Sequence, residues 1–358
     1  MKSKVFFVRA TAQDGPELLS RKALAAYLAL DLNDQLDKDD FVALKIHFGD
    51  KHNTGHIKPE WLRHIVIEIQ KRTPRAFLTD SNTLYVGPRS NSVEHIRLAW
   101  SHGFTPNVVD VPVIIADGLI GRDKHEGRGA QARIKSPKVG AAFQDSDALL
   151  ALTHVTGHMQ TGIGAALKNV GMGCASRAGK LDQHSVVHPR VNPKACRNCS
   201  LCFDHCSADA IVQAEGHVEI DDHACTGCGE CLIVCKFGAI KFRWDADSKR
   251  LQEKMAEYAL YVKRHYKEKV GFLNFLIQVT KDCDCMAKNQ PRIVEDIGIL
   301  ASSDPVAVDT ASATLILDRG RGKDVLRAGY NVDWSAQLKH GVAIGLGSME
   351  FELIELNP

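Results

Sequence analysis

Eight of the eleven cysteines fall in two copies of one pattern, C-x2-C-x2-C-x3-C: Cys196, Cys199, Cys202, Cys206, and then Cys225, Cys228, Cys231, Cys235. A chain that spaces thiols this way twice must fold around what the thiols hold. A 4Fe-4S cubane needs a thiolate on each iron. Three cysteines at three-residue spacing on a turning loop wrap three corners of one cluster, and the fourth, at the start of the following helix, points to the other cluster. The expected ligand sets are Cys196, Cys199, Cys202 with Cys235, and Cys225, Cys228, Cys231 with Cys206. Zinc sites instead use separated C-x2-C pairs, and neither zinc nor a disulfide framework calls for four-cysteine runs.

The repeat extends beyond the cysteines. Ala210-Ile211 and Ala239-Ile240 match at the 29-residue offset that separates Cys196 from Cys225, as a duplicated hairpin and helix require. From Pro189 to Trp244 the chain resembles two-cluster ferredoxins. One departure is that the proline usual after the fourth cysteine is replaced by Ser207 and Lys236, which alters loop stiffness more than ligation. This segment has six Lys and Arg against seven Asp and Glu, and two oxidised clusters would make it more acidic. A redox partner protein with a basic docking face is the expected partner.

Over the whole chain of 358 residues the formal charge is +2, with 44% hydrophobic residues and no Lys- or Arg-rich block. Neither nucleic acid nor a membrane surface is therefore an expected partner. The N-terminal apolar run closes at Arg9 without the pattern of a signal peptide. Reduced thiolates then suit a cytoplasmic location.

Outside the cysteine-rich segment, strand and helix patterns alternate. Strands are expected at Val5 to Val8, Phe41 to His47, Ala76 to Thr79, Val111 to Ala116, Ala148 to His154 and Phe272 to Thr280, with an edge strand at Phe351 to Leu356. Helices are expected at Pro16 to Leu36, Pro59 to Lys71, Ser92 to His102 and Asp247 to Lys269, and from Ser302-Ser303-Asp304-Pro305 to Leu317. Continuous apolar strands suit a sheet covered on both faces. The expected fold class is α/β, a mostly parallel open sheet flanked by helices with an inserted small α+β ferredoxin domain. Residues 1–188 and 245–358 would be two parts of one α/β domain, and 189–244 the insert.

Ligands of such sheets bind beyond the carboxyl ends of the strands. Lys45 and His47 share one face there by period two, Asp80-Ser81-Asn82-Thr83 follows the third strand, and His154-Val155-Thr156-Gly157-His158 ends another. Lys45, His47, Asp80 and His154 are thus candidates to bind or protonate a small anionic substrate. Each residue alone also fits a structural role, since turns favour Asp and Asn and a strand-end histidine is often a structural group. The segment from Gln160 to Lys180 holds several glycines with Lys168, Arg177 and Lys180. It is not a phosphate-binding P-loop, because five residues separate Gly173 from Gly179 and Leu181 stands where Ser or Thr should hold magnesium.

Three cysteines remain. Cys283 and Cys285 form a C-x-C whose side chains point the same way on extended chain, and Cys174 lies in the glycine-rich segment. Together they are a candidate third site, for an iron-sulfur cluster or a zinc ion, that His154, His158 or His184 could complete. Against this stands a simpler reading: a buried filler and two ordinary loop thiols.

Lys45-Ile46-His47-Phe48-Gly49, Thr79-Asp80-Ser81-Asn82-Thr83-Leu84-Tyr85, Ala166-Leu167-Lys168-Asn169, Gly171-Met172-Gly173-Cys174, Cys283-Asp284-Cys285 and Ser303-Asp304-Pro305-Val306-Ala307-Val308-Asp309 resemble the family called domain of unknown function 362, many members of which carry a ferredoxin insert. The resemblance implies an iron-sulfur protein and little established chemistry. Two readings follow: an electron-transfer protein passing single electrons through two 4Fe-4S clusters to a site or partner of the α/β domain, or an enzyme, such as an oxidoreductase, acting in the strand-end crevice.

Overall fold

The computed structural model describes residues 2–85, 87–129, 133–184, 189–206, 208–225, 230–241 and 247–357. An eight-stranded sheet runs through the centre. Its strands are β1 (Ser3–Arg9), β2 (Val42–Ile46), β3 (Ala76–Asp80), β4 (Val113–Ile115), β5 (Ala148–His154), β6 (Val270–Leu276), β7 (Gly298–Ser302) and β8 (Phe351–Glu355), in the spatial order β8-β1-β7-β6-β5-β2-β3-β4. Strands β2, β3, β4, β5 and β6 pair in parallel, as do β1 and β8, while β7 runs against both of its neighbours, β1 and β6. The sheet is thus mostly parallel, and its strands come from both sides of the cysteine-rich segment.

Alternation along each strand divides the core into two apolar layers. Val42, Leu44 and Ile46 pack with Leu150, Leu273 and helices α1 (Gly15–Leu28) and α2 (Arg63–Gln70). Ala43, Leu149, Phe272 and Leu300 face the other way, toward α3 (Ala166–Gly171), α4 (Ser248–Tyr266) and α5 (Pro305–Arg319). With helices on both faces, even the period-two alternation is apolar on apolar, which is why these strands read as unbroken hydrophobic runs. Lys45 falls on the α3 side by the same alternation.

Two elements depart from expectation. The helix read as Pro16 to Leu36 ends at Leu28; Asp31 takes a left-handed φ of 55° and a short 3-10 turn, Leu32–Gln35, follows. Strand β7 is not among the expected strands, its apolar run Ile299-Leu300-Ala301 being short. It is five residues long and opens at Gly298, and it becomes a strand by pairing on both edges with β1 and β6. The cysteine-rich segment forms two small ladders, Arg190–Val191 with Ile240–Lys241 and Ile211–Ala214 with His217–Ile220. The first brings the two ends of the segment together, as an insertion into another domain requires.

Candidate functional site

The carboxyl ends of β2, β3, β5 and β6 open on one crevice of about 540 Å³. Lys45, His47, Asp80 and His154 all line it, as do Cys283 and Cys285 in the loop after β6. Lys45 is 1% exposed, its Nζ 3.0 Å from Asp80 Oδ1 and donating to Asn169 Oδ1 at 2.7 Å. Asn169 in turn donates to the Leu152 carbonyl and Thr153 Oγ1, tying α3 to the end of β5. Burial works against a charged Asp80, but Lys45 and the other cations outweigh it and hold its pKa below the ordinary value.

Helix α3 is only six residues long, and its position is imposed from outside. Asp309 on α5 accepts from the backbone N–H groups of Ala166 and Leu167 at 2.8 Å each, and from Asn274 Nδ2 at 2.8 Å. It serves as the missing N-cap of a helix that has no capping side chain of its own. Burial pushes the Asp309 carboxyl up to about 7. At Gly173 a Cβ would meet the Asn169 carbonyl oxygen at 2.1 Å and Lys45 Nζ at 2.7 Å, so glycine is what lets the lysine pass.

His47 is held neutral. Gly49 N–H donates to its Nδ1 at 2.9 Å, Arg89 Nη1 lies 2.8 Å from its Nε2, and burial, then Arg89, pull its pKa well below 6.5. Arg89 also donates to Asp50 at 3.0 Å in a buried ion pair. His154 takes the opposite state. Its Nδ1 lies 3.0 Å from both oxygens of Asp284 and its Nε2 2.9 Å from the Ile277 carbonyl, so both nitrogens donate. Burial opposes the imidazolium, but Asp284 prevails and raises its pKa. With both nitrogens engaged, His154 anchors the Cys-Asp-Cys loop and has no proton left to exchange with a ligand in this arrangement.

Lys168, on α3, also lines the crevice, and among the described residues no carboxylate lies within ion-pair distance of it. Burial, then Arg89, lower its pKa to about 8. Lys180 donates to Ser81 Oγ and the Ala175 carbonyl at 2.6 Å each. Five cations of the lining, Lys45, Arg89, Lys168, Lys180 and the His154 imidazolium, thus face two carboxylates, Asp80 and Asp284. Arg89 had no pattern to mark it in the sequence. Asp284 stood between two singled-out cysteines, and its role became visible only with His154 beside it.

Cys174 does not join Cys283 and Cys285. It is fully buried in the apolar layer beneath α3, and burial pushes its thiol up to about 12, the range of a protonated packing group. The third residue beside the pair is His158: a ring nitrogen and the two sulfurs lie within 4.8 Å of one another. Cys283 and Cys285 are joined by a disulfide. His158 Nδ1 accepts from the Gln160 and Thr161 N–H groups at 3.2 and 3.1 Å, which puts the proton of the neutral ring on Nε2. In the disulfide form the two sulfurs offer no thiolate to the zinc ion or third iron-sulfur cluster expected at Cys174, Cys283 and Cys285, and the group that lies together there is His158, Cys283 and Cys285 without Cys174.

In the cysteine-rich segment, the thiols of Cys199, Cys235 and Cys196 are those that act electrostatically on Cys202, which brings four sulfurs from both repeats to one place. Ala210 N–H donates to Cys206 Sγ at 3.2 Å and Ala239 N–H to Cys235 Sγ at 3.3 Å, the same contact in each repeat. Cys225 and Cys231 are described; Cys228 lies outside the described residues. The small core of this segment, with Cys202, Cys231 and Ile240, also includes Leu84 and Leu181 of the α/β domain. Leu84 lines the crevice as well. It is the wall between the two.

A family model described as "Domain of unknown function (DUF362)" matches residues 42–314. The chain belongs to this family. Shorter stretches are similar to an iron-sulfur protein of Rhodospirillum rubrum (43% identical over 53 residues, 14% of this chain and 28% of that protein) and to an uncharacterized ferredoxin of Methanocaldococcus jannaschii (38% over 50 residues, 13% and 30%). Formate hydrogenlyase subunit 2 of Escherichia coli is 36% identical over 52 residues, 14% of this chain and 26% of its own. The chain matches less than a third of the length of each of these relatives. Among solved structures, the lactate racemase apoprotein from Thermoanaerobacterium thermosaccharolyticum aligns with a TM-score of 0.45 at 10% identity, over 89% of this chain and 58% of that one.

Proposed function

We propose that this protein is an iron-sulfur electron-transfer protein whose two 4Fe-4S clusters serve the crevice of the α/β domain. Cys196, Cys199, Cys202 and Cys235 would hold one cluster and Cys225, Cys228, Cys231 and Cys206 the other. The observation that carries the reading is the shared wall: Leu84 belongs both to the core of the ferredoxin-like segment and to the crevice lining. When bound, such clusters supply one-electron transfer, their potentials tuned by N–H contacts to sulfur such as those from Ala210 and Ala239.

The crevice residues support an anionic small molecule as its occupant. Lys45 is already neutralised by Asp80, and Arg89 by Asp50. Among the described lining residues, Lys180 has no ion pair but already donates to Ser81 Oγ and the Ala175 carbonyl, so Lys168 is the cation left to bind a carboxylate or phosphate, which would restore the charge that burial disfavours. Asp80 and Lys45 fix the floor of the site, and His47, neutral and beside Arg89, lines its wall. A basic redox partner would dock on the acidic ferredoxin-like segment. Iron and sulfide analysis with electron paramagnetic resonance of the reduced, anaerobically purified chain tests the reading. About eight irons per chain and signals from two interacting clusters are expected; a chain without iron overturns it.

A further inference from the structure

The Cys283–Cys285 bond has no part in this reading, yet it lies in the crevice wall. As a structural staple it accomplishes little: it joins residues two apart, and so small a loop removes little freedom from the unfolded chain. The loop is also held without it. Asp284 is clamped by His154, its carbonyl accepts from Asp50 N–H at 2.9 Å, and the Thr280 carbonyl accepts from Gly157 N–H at 2.8 Å. At Gly157 a Cβ would meet the Lys281 carbonyl oxygen at 2.3 Å, so the hairpin of Thr156–His158 with Gly162–Gly164 lies directly against this loop. Asp282 adds an ion pair with Lys288 at 2.8 Å and an N–H bond to Gln290. Opening the S–S bond would leave the loop anchored, with the two sulfurs moving apart only to non-bonded contact.

What lies beside the sulfurs is the His158 ring, one nitrogen of which is within 4.8 Å of both. Because Gln160 and Thr161 fill His158 Nδ1 with N–H groups, the neutral ring carries its hydrogen on Nε2, which suits a thiolate as a hydrogen-bond partner. Lys168 acts electrostatically on both His158 and Asp284, adding positive charge around the pair. Cys283 is buried and Cys285 more open. A cationic, partly open setting is the one in which cysteines are reactive.

We propose that Cys283 and Cys285 are a redox-active dithiol–disulfide pair, with His158 as the positioning residue that hydrogen-bonds the thiolate formed when the bond opens. Reduction takes two electrons and one proton: the S–S bond breaks, one sulfur becomes a thiol protonated from crevice water, and the other becomes a thiolate facing His158. Reoxidation returns both electrons and the proton. The electrons come from a low-potential one-electron donor acting twice. The inference rests on the electron-transfer reading for that source alone.

The test equilibrates the full, anaerobically purified chain with mixtures of reduced and oxidised dithiothreitol, then quenches, alkylates and quantifies the Cys283–Cys285 peptide by mass spectrometry. The pair is expected to pass reversibly between disulfide and dithiol. In the reduced chain one thiol should alkylate fast at pH 7, and His158→Gln should slow it about five- to tenfold and move its pH profile upward. A pair that stays disulfide in every mixture overturns the inference, as does one that stays dithiol with stoichiometric bound zinc; unchanged alkylation in His158→Gln overturns the role of His158. Iron measured on the same samples separates the two readings. Thiol cycling without iron sinks the electron-transfer proposal and leaves the pair, and iron with a locked pair does the reverse.

Discussion

The ferredoxin-like segment and the crevice beside it are built on opposite plans. In the segment, the described core is a few aliphatic side chains and the cysteines themselves, and part of it is borrowed from Leu84 and Leu181. The α/β domain buries two extensive apolar layers and pairs several charged groups of the crevice with one another: Lys45 with Asp80, Arg89 with Asp50, His154 with Asp284. A small module with so thin a core relies on what its thiols bind, whereas the crevice is preorganised by the fold. The difference teaches that the two parts should fail separately.

Removing iron from the cysteine-rich segment should have the largest effect. Iron chelation under reducing conditions should expose residues 189–244 to limited proteolysis, while the α/β domain keeps its circular dichroism. Cooperative unfolding of both together would show that the domain, too, depends on the clusters.

Next in size is the buried pair under the crevice. Asp284→Ala leaves the His154 imidazolium without its partner and should cost about 3–5 kcal/mol in denaturant unfolding. The pair also has a signed pH dependence. His154 is raised above 6.5, so its contribution is complete below pH 6.5 and is lost as pH climbs through the raised value. Asp284 is lowered below 3.8, so its contribution is complete above 3.8 and is lost as pH falls through the lowered value. The pair's own contribution, taken as the difference in stability between the parent and the Asp284→Ala variant across pH, should therefore decline on both sides of the window from 3.8 to 6.5, and the alkaline limb attributable to His154 should vanish in His154→Gln.

Lys168→Gln is a smaller and more specific change. Calorimetric titration with inorganic phosphate should show roughly tenfold weaker binding, about 1.4 kcal/mol, with the fold intact. In the parent protein, affinity should fall as pH rises through about 8, where Lys168 loses its proton. The smallest effect is expected on the surface of the segment. Arg190 and Asp222 are 3.1 Å apart but exposed, so Asp222→Asn should change stability by less than about 0.5 kcal/mol.

Legibility in the sequence followed the same division. The cysteine runs could be read because their ligands lie within one stretch of chain at spacings set by cluster geometry. The candidates Lys45, His47, Asp80 and His154 could be placed on one crevice because strand ends in a parallel sheet share an edge. Their roles could not be read. His154 looked like a proton donor, and only the position of Asp284 and the Ile277 carbonyl turned it into a doubly bonded anchor. Cys174 looked like a partner of Cys283 and Cys285 because strand-end loops carry all three, yet its side chain turns into the apolar layer. His158, one of three histidines considered, became the neighbour of the sulfurs through the hairpin at Gly157.

By itself, then, the sequence determined the α/β class, the two apolar layers, the doubled cysteine pattern and the strand ends on which a site could form. These follow from periodicity and from spacing along the chain, which are local. Tertiary structure alone decided that β7 pairs on both of its edges, that Asp309 caps a helix 143 and 142 residues before it in the chain, that Lys168 stands in the crevice with no carboxylate within ion-pair distance among the described residues, and that His158 lies beside the two sulfurs. Each of these depends on a partner distant in sequence, and the protonation state of a buried group is set by what surrounds it in space.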